Sequence, residues 1–284
     1  MKKLILFCIA ILFSFQTIQA QAPRDAQRFF GDAITDMEMA FSQNDFTPQD
    51  EYFLGRAVAA YILSEYRPYT RSPELTRYLN LICQTIVYNS VQPAIFKNYY
   101  VMVLDSNEFN AFAAPGGFIF LTRRLIELAT SEDMLAAVIA HELAHIMLRH
   151  GINTIEDMSL FDDMSRMADR GTLLSGNTEA VNRITNLRNS VSSVIDMLVR
   201  NGYSQDNEFE ADREAVALLA ASGYNPQAYV DMLRLMEQVL GSQAGGFNST
   251  HPSTGDRILN VEPSVRRYRV EDTSSYRANR FRNR

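Results

Sequence analysis

Three of the four histidines in this chain of 284 residues lie within one short stretch, at positions 141, 145 and 150. His141 and His145 belong to a segment of small apolar residues that predicts a helix starting after Ser131. Residues four apart project from one face of a helix, so both imidazoles can bind a single metal ion. Glu142 stands beside them, where its carboxylate can act as a general base toward water.

The run HELAH from His141 to His145 is the H-E-x-x-H pattern that zinc peptidases use, with its glutamate as the base. Its apolar surroundings predict burial, and buried imidazoles and carboxylates are costly unless something such as a metal ion satisfies them. His150 is five positions beyond His145, so on a continuous helix it faces away by about 140°. We therefore expect His150 to be a cation at the C-terminal end of that helix.

A second helix is expected to supply the third ligand, because catalytic zinc sites use three protein ligands and leave one position for water. Glu208 and Asp212 are four apart and share a face with several apolar residues. Glu208 is the predicted ligand, and Asp212 can accept the free N–H of a ligand imidazole. Glu210 is expected to face solvent or to pair with Arg213. The alternative interpretation of this helix is an acidic surface exposed to solvent.

The fourth histidine, His251, lies in the loop-like stretch THPSTGDR at 250–257. Beside a metal site it has two possible roles. It can stabilise the oxyanion that forms on an attacked carbonyl. It can also occupy the open position on the metal and hold the site inactive. The sequence leaves both roles open.

Hydrophobic periodicity predicts an α+β fold that is mainly helical, with a small antiparallel sheet beside the helix of His141. Pro at a first helical position and Ser or Thr at a cap mark several helix starts. The predicted helices are 24–42, 48–66, 73–88, 131–150, 184–198, 207–221 and 226–240. The predicted strands are 99–105, 110–114 and 117–122.

Composition and the first residues narrow the class of protein. Hydrophobic residues make up 46% of the chain, which excludes a disordered protein, and the net charge of −6 argues against a nucleic-acid binder.

Residues 1–22 start with Lys2 and Lys3, continue with a short apolar run and end in Ala20-Gln21-Ala22. This pattern predicts a secretory signal peptide, with an uncleaved anchor as the alternative. We therefore expect a soluble, exported protein.

Residues 261–284 form an arginine-rich C-terminal tail, in which seven arginines stand against three acidic residues. Its few apolar residues predict a solvated, partly disordered end. The alternative is contact with an anionic membrane surface or an acidic partner.

These motifs together resemble those of the gluzincin family of CAAX prenyl proteases and HtpX heat-shock proteases. The resemblance rests on HELAH at 141–145, on EFEAD at 208–212 and on His251-Pro252 with Arg257. A further segment matches the substrate-edge strand of the family, and its residues are Asn110, Ala111, Phe112 and Ala113, followed by Pro-Gly-Gly. The chain is most similar to the soluble periplasmic branch, which includes the β-barrel assembly-enhancing proteases.

The resemblance implies a zincin-like metallopeptidase domain over residues 23–260, with one Zn²⁺ per chain. It implies His141, His145 and Glu208 as zinc ligands. Glu142 would be the catalytic base, and Arg257 would support the loop of His251, a residue that can cap the metal. The strand at Asn110–Ala113 would pair with an extended substrate, a mode that recognises backbone more than side chains.

The sequence therefore predicts a zinc metalloendopeptidase of the HExxH gluzincin type, acting in the periplasm on unfolded or misassembled envelope proteins. Peripheral contact with a membrane through the arginine-rich tail is a further expectation. Two other classes remain open at this point. One is a chaperone-like binding protein whose zinc site is quiescent, and the other is a helical structural protein in which the motifs are accidental.

Overall fold

The computed structural model describes residues 47–157, 196–241, 251–269 and 273–284. The expected signal peptide, the helix at 24–42 and almost all of the helix at 184–198 lie outside these ranges. The described helices are α1 Pro48–Glu65, α2 Pro73–Tyr88, α3 Arg123–Leu128, α4 Glu132–Met147, α5 His150–Asp157, α6 Gln205–Ala221, α7 Gln227–Leu240, α8 Thr254–Val265 and α9 Ser274–Arg282. The strands are β1 Tyr100–Leu104, β2 Ala111–Ala114 and β3 Phe118–Thr122, and Met197–Asn201 forms a π-helical turn. The α+β class, mainly helical with a small sheet, is confirmed.

Side-chain caps start the helices where the sequence predicts them. Thr47 and Asp50 form a reciprocal capping box at α1. Ser72 accepts a hydrogen bond from the backbone N–H of Leu75 at α2. Ser131 accepts one from Met134 at the start of α4. Each cap satisfies an N–H that a first helical turn leaves without a partner.

The sheet is mixed, with strand order β1-β3-β2, so the expected purely antiparallel sheet is wrong for one of its two strand pairs. Strands β2 and β3 form an antiparallel hairpin, and its turn uses Gly116 and Gly117 at φ values of 72° and 102°. Strand β1 pairs with β3 in parallel, with Tyr100 opposite Phe118. The chain leaves β1, crosses to the far side of β3 as β2, and returns as β3. Strands β1 and β3 therefore run in the same direction.

Alternate residues of the sheet face two different helical layers. One face packs against α4 and α2 through Val101, Val103, Ala111, Ala113, Ile119 and Leu121. The other face packs against α1 through Leu104, Phe112, Ala114 and Phe120. The sheet thus lies between α1 and the helix that carries His141 and His145.

The outer edge of β1 is covered by hydrogen bonds from side chains and from a neighbouring segment. Asn80 of α2 accepts from the N–H of Val101 at 2.9 Å and donates to its carbonyl at 2.7 Å. Gln84 donates to the carbonyl of Tyr99 at 2.8 Å. The N–H of Tyr69 donates to the carbonyl of Val103 at 2.8 Å. A further strand cannot pair here without displacing these bonds, whereas β2 forms the opposite edge.

Two helices differ from the sequence prediction. Helix α4 ends at Met147, before the expected His150, because Arg149 adopts a left-handed backbone conformation (φ 56°) and turns the chain into α5. Helix α8 has no counterpart among the predicted helices, and Pro263 lies inside it. Its signal was Ser253, which accepts a hydrogen bond from the N–H of Asp256 three residues later.

The C-terminal helix α9 packs on the first turn of α4. Arg277 donates from Nε to Asp133 at 2.8 Å, and Arg280 donates from Nη2 to Glu132 at 2.5 Å. Glu132 also accepts a hydrogen bond from the hydroxyl of Tyr78 at 2.8 Å. Arg277 is only 6% exposed, so the expected solvated tail is wrong for this residue. Within the described ranges, no helix has the length and apolarity needed to cross a membrane.

We expect Arg277→Gln to lower the free energy of unfolding by about 3 kcal/mol, because it leaves the buried Asp133 carboxylate without its counter-charge. Denaturant titration followed by circular dichroism measures the change. Arg282→Gln, at an exposed position of the same helix, is the control and should change stability by less than about 0.5 kcal/mol. Equal stability of the two variants would contradict the structural role of the Arg277–Asp133 pair.

Candidate metal centre

Helix α4 presents His141 and His145 from one buried face, as their spacing predicts. Their Nε2 atoms lie 3.1 Å apart, and the two side chains are 3% and 1% exposed. Glu142 is buried as well. Small residues surround this face of α4 and let the neighbouring elements approach closely; they are Ala136, Ala137, Ala140 and Ala144.

Helix α6 brings Glu208 to the two imidazoles. Ser204 caps this helix by accepting from the N–H of Asn207 at 3.3 Å. The Glu208 oxygens lie 3.5 Å from Nε2 of His141 and 3.3 Å from Nε2 of His145. The alternative of a solvent-facing acidic surface is excluded for Glu208 and Asp212, since both are fully buried.

His251 joins this group from the residues that precede α8. Its Nε2 atom lies 3.7 Å from Oε2 of Glu208, and its ring centroid is 5.5 Å from that of His141. His141, His145, Glu208 and His251 each offer one ligand atom, and these atoms all lie within 4.8 Å of one another. The fold thus brings four predicted residues from three separate segments to one point.

The residues present fit a bound divalent cation. Both carboxylate oxygens of Glu208 are buried without a hydrogen-bond partner, and so is Oε1 of Glu142. A buried carboxylate without partners is costly, and a cation among the imidazoles would compensate the charge of Glu208. A donor set of imidazole nitrogens and one carboxylate suits zinc better than calcium or magnesium, which prefer oxygen ligands.

A buried ion pair supports His141 from behind. Oδ1 of Asp212 lies 3.2 Å from Nδ1 of His141. Arg257 of α8 donates from Nη2 to the same oxygen at 2.7 Å and to the hydroxyl of Tyr229 at 2.7 Å. The hydroxyl of Tyr229 in turn donates to Asp212. Asp212 therefore lies beside a ligand imidazole, as its spacing predicts, whereas no sequence motif indicates Tyr229.

Burial and neighbouring charges shift the pKa values of these groups. Burial raises the pKa of Glu142 to about 7, although the nearby His141 opposes this shift. Burial alone would also raise the pKa of Asp212, but the charge of Arg257 and the contact with His141 hold it well below its usual range. Asp212 is therefore a carboxylate anion at neutral pH, while the protonation of Glu142 is finely balanced.

The expectation for His150 as a helix-end cation is wrong. The turn at Arg149 brings His150 back beside α4, where its Nδ1 lies 2.9 Å from Nδ1 of His145. Its side chain is 2% exposed, and burial lowers its pKa, so it is neutral. Glu210, expected in solvent or beside Arg213, is half-exposed, with Oε2 lying 3.4 Å from Nε2 of His150.

Tyr203 also contacts the centre, although no sequence motif indicates it. Its ring stacks on His145, with centroids 4.2 Å apart and an interplanar angle of 16°. Tyr203 is far from His145 in sequence and follows no recognisable motif, so only the folded chain reveals it.

The segment Asn110–Ala113, predicted to contact substrate, lies at the sheet edge formed by β2. Strand β2 packs against α4, which places this edge beside the helix of the histidines. Asn110 is buried at its start, and its side-chain oxygen accepts from the N–H of Ala111 at 3.0 Å.

The fold and these residues define a peptidase, and the chain belongs to peptidase family M48, whose model matches residues 73–264. Among named relatives, the chain is similar to the β-barrel assembly-enhancing protease of Escherichia coli (strain K12), at 28% identity over 198 residues. That match covers 68% of this chain and 39% of the relative. The putative β-barrel assembly-enhancing protease of Vibrio cholerae is 29% identical over 73% of this chain and 42% of its own length.

A mitochondrial relative matches a larger share of the chain. The metalloendopeptidase OMA1 of Schizosaccharomyces pombe is 25% identical over 84% of this chain and 64% of its own length. The matched part of the chain thus spans about two fifths of the bacterial relatives. The family expected from the sequence is confirmed.

We expect zinc to stabilise the protein against unfolding, because a ligand that binds only the folded state shifts the equilibrium by mass action. At a free zinc concentration 100 times Kd the gain is about 2.7 kcal/mol. Thermal unfolding with and without zinc measures it. Glu208→Gln should lose most of this gain, whereas Glu214→Gln, later on the same helix, should retain it. Stabilisation of the Glu208 variant equal to that of the wild type would argue against Glu208 as a ligand.

Proposed function

We propose that this chain is a zinc-dependent endopeptidase that hydrolyses peptide bonds in unfolded or misassembled envelope proteins. The observation that carries the proposal is the buried group of His141, His145 and Glu208, in which the carboxylate oxygens have no hydrogen-bond partner. Membership of peptidase family M48 supports the same chemistry. One zinc ion per chain would be held by these three residues.

When bound, zinc would polarise the scissile carbonyl and lower the pKa of a water molecule toward ~7. Glu142 accepts a proton from the attacking water, whose oxygen bonds to the carbonyl carbon. The same carboxyl then gives the proton to the nitrogen of the leaving amine as the C–N bond breaks. A buried glutamate with a pKa of about 7 suits this work, because it can accept and release a proton near neutral pH.

His251 is proposed as a residue that restrains the resting enzyme. Its Nε2 atom belongs to the same group of four possible ligand atoms, all within 4.8 Å of one another. If His251 held the ion together with His141, His145 and Glu208, it would take the position that water or substrate needs. Activation would then require His251 to withdraw. The alternative role of His251 is to stabilise the oxyanion on the attacked carbonyl.

The edge of β2 is proposed to bind substrate as an added strand. The N–H of Thr122 in β3 donates to the carbonyl of Asn110, so the backbone groups of Asn110 face β3. Because residues of an antiparallel strand alternate, Phe112 also faces β3, while Ala111 and Ala113 direct their backbone groups to the opposite edge. The N–H of Ala111 is already bound by the side chain of Asn110, which leaves Ala113 as the main pairing position.

The substrate class and the cellular location rest on the relatives and on the first residues. Bacterial relatives are named β-barrel assembly-enhancing proteases, which suggests substrates among outer-membrane proteins. The pattern at residues 1–22 suggests export to the periplasm. The exposed arginines of the tail, such as Arg266 and Arg282, suggest peripheral contact with an anionic membrane, and cell fractionation tests both points.

The alternative function, a chaperone-like binding protein with a quiescent zinc site, is not favoured, because the relatives are named as proteases and metalloendopeptidases. Digestion of an unfolded outer-membrane protein, with and without a chelator, separates the two. A peptidase cleaves the protein only before chelation. A chaperone leaves it intact in both samples and slows its aggregation.

We expect Glu142→Gln to reduce cleavage by about 100-fold or more and to keep zinc bound, because the amide cannot accept the proton of the attacking water. Zinc content by atomic absorption and cleavage of an unfolded substrate give the two readouts. Glu74→Gln, at an exposed position on α2, is the control with unchanged cleavage. Cleavage retained by the Glu142 variant would remove this residue from the mechanism.

We expect His251→Ala to raise the turnover number with zinc content unchanged, because the fourth position on the metal is then always open. Steady-state cleavage of a fluorescent peptide measures the effect. Slower turnover at full zinc occupancy would instead assign His251 to oxyanion stabilisation and overturn its role as a cap.

A further inference from the structure

Two polar side chains follow His145 on the side away from the metal centre and form a row with it. The first is His150, whose Nδ1 is 2.9 Å from Nδ1 of His145. The second is Glu210, whose Oε2 is 3.4 Å from Nε2 of His150. The row runs from the buried centre to the surface, since His150 is 2% exposed and Glu210 is 54% exposed.

The positions of the ring nitrogens allow one consistent assignment of protons. Nε2 of His145 faces the centre, 3.3 Å from Glu208 and 3.1 Å from Nε2 of His141, so its lone pair must be available to a metal ion. A neutral imidazole then carries its proton on Nδ1. Among the residues that the structure describes, the partner of this N–H is Nδ1 of His150 at 2.9 Å, which is then the acceptor. His150 therefore carries its own proton on Nε2, directed at the Glu210 carboxylate.

We propose that His150, with Glu210 behind it, is a positioning residue that fixes the tautomer and the ring orientation of His145 for metal binding. The inference rests on the proposed zinc site. A hydrogen bond from the far nitrogen of a ligand imidazole makes that imidazole a better electron donor to the metal. Asp212 contacts His141 in the corresponding way, so each ligand histidine has its own supporting acceptor.

The backbone between α4 and α5 explains why this residue can reach His145. On an uninterrupted helix a residue five positions later would point away. The left-handed Arg149 ends α4 and lets α5 begin at His150, close to the side of His145. The hydroxyl of Thr154 donates to the carbonyl of His150 at 2.7 Å and ties this residue into the first turn of α5.

Zinc affinity, measured by competition with a chelating dye, tests the proposal on the full chain. His150→Phe keeps a planar ring but removes the acceptor, and we expect it to weaken zinc binding about tenfold or more. His150→Asn keeps an acceptor oxygen near the place of Nδ1 and should restore most of the affinity. Thr154→Val removes a hydrogen bond of the same turn without touching the imidazole, and its affinity should stay within about twofold of the wild type.

The outcomes separate this inference from the proposed function. Affinity of His150→Phe equal to that of the wild type overturns the positioning role and leaves the zinc site standing. An Asn variant as weak as the Phe variant also overturns it, because the acceptor would then be irrelevant. A wild-type chain that binds no zinc overturns the proposed function together with this inference.

A measurement on the wild-type protein decides the matter even if the Phe variant does not fold. In the zinc-loaded, ¹⁵N-labelled chain, an N–H···N hydrogen bond transmits a scalar coupling between its two nitrogens. We expect this coupling between Nδ1 of His145 and Nδ1 of His150, with the proton on His145. Its absence, or a proton on Nε2 of His145, overturns the proposal.

Discussion

A buried carboxylate surrounded by imidazoles is the interaction on which the arrangement of this molecule depends. Glu208 is fully buried, its oxygens lack hydrogen-bond partners, and three histidines approach it within 3.3 to 3.7 Å. Such a charge is tolerated in a dry interior only with compensating positive charge. Arg257 lies beside it, with Nη1 3.9 Å from Oε2 of Glu208, but its Nη2 pairs with Asp212 at 2.7 Å, so it compensates the charge of Glu208 only in part. A divalent cation can supply the remaining positive charge. The packing of α4, α6 and α8 and the chemistry of the centre therefore depend on each other.

Much of the fold follows from local signals that the sequence carries openly. Thr47, Ser72 and Ser131 are caps, and the helices begin where these residues predict. The direction of the strands, unlike the helix starts, does not follow from local signals. Whether two strands pair in parallel depends on where the chain crosses the sheet and not on the residues of the strands. Helix α8 also depends on tertiary contacts. Its Pro263 argues against a helix locally, while packing against α6 and α7 stabilises it.

The residues of the candidate site also fall into those that the sequence predicts and those that depend on tertiary packing. His141, His145, Glu208 and Asp212 could be predicted because helical spacing fixes which side chains share a face. His150 could not, since that argument assumes a helix that continues through Arg149, and one left-handed residue reverses the result. Tyr203 and Tyr229 belong to no motif at all. They contact the histidines because Tyr203, just before α6, stacks on His145 and because α7 packs beside α4, a tertiary effect that spacing does not encode.

The clamp of α9 on α4 has a consequence for the order in which the molecule matures. Asp133 opens the helix that carries His141 and His145, yet its partner Arg277 is synthesised 144 residues later. During translation, the first turn of α4 is therefore made before the two arginines that pair with its acidic groups. Complete burial of this turn becomes favourable only once the distal arginines arrive. The contacts that bury the first turn of the helix of His141 and His145 can therefore form only after α9 has been synthesised.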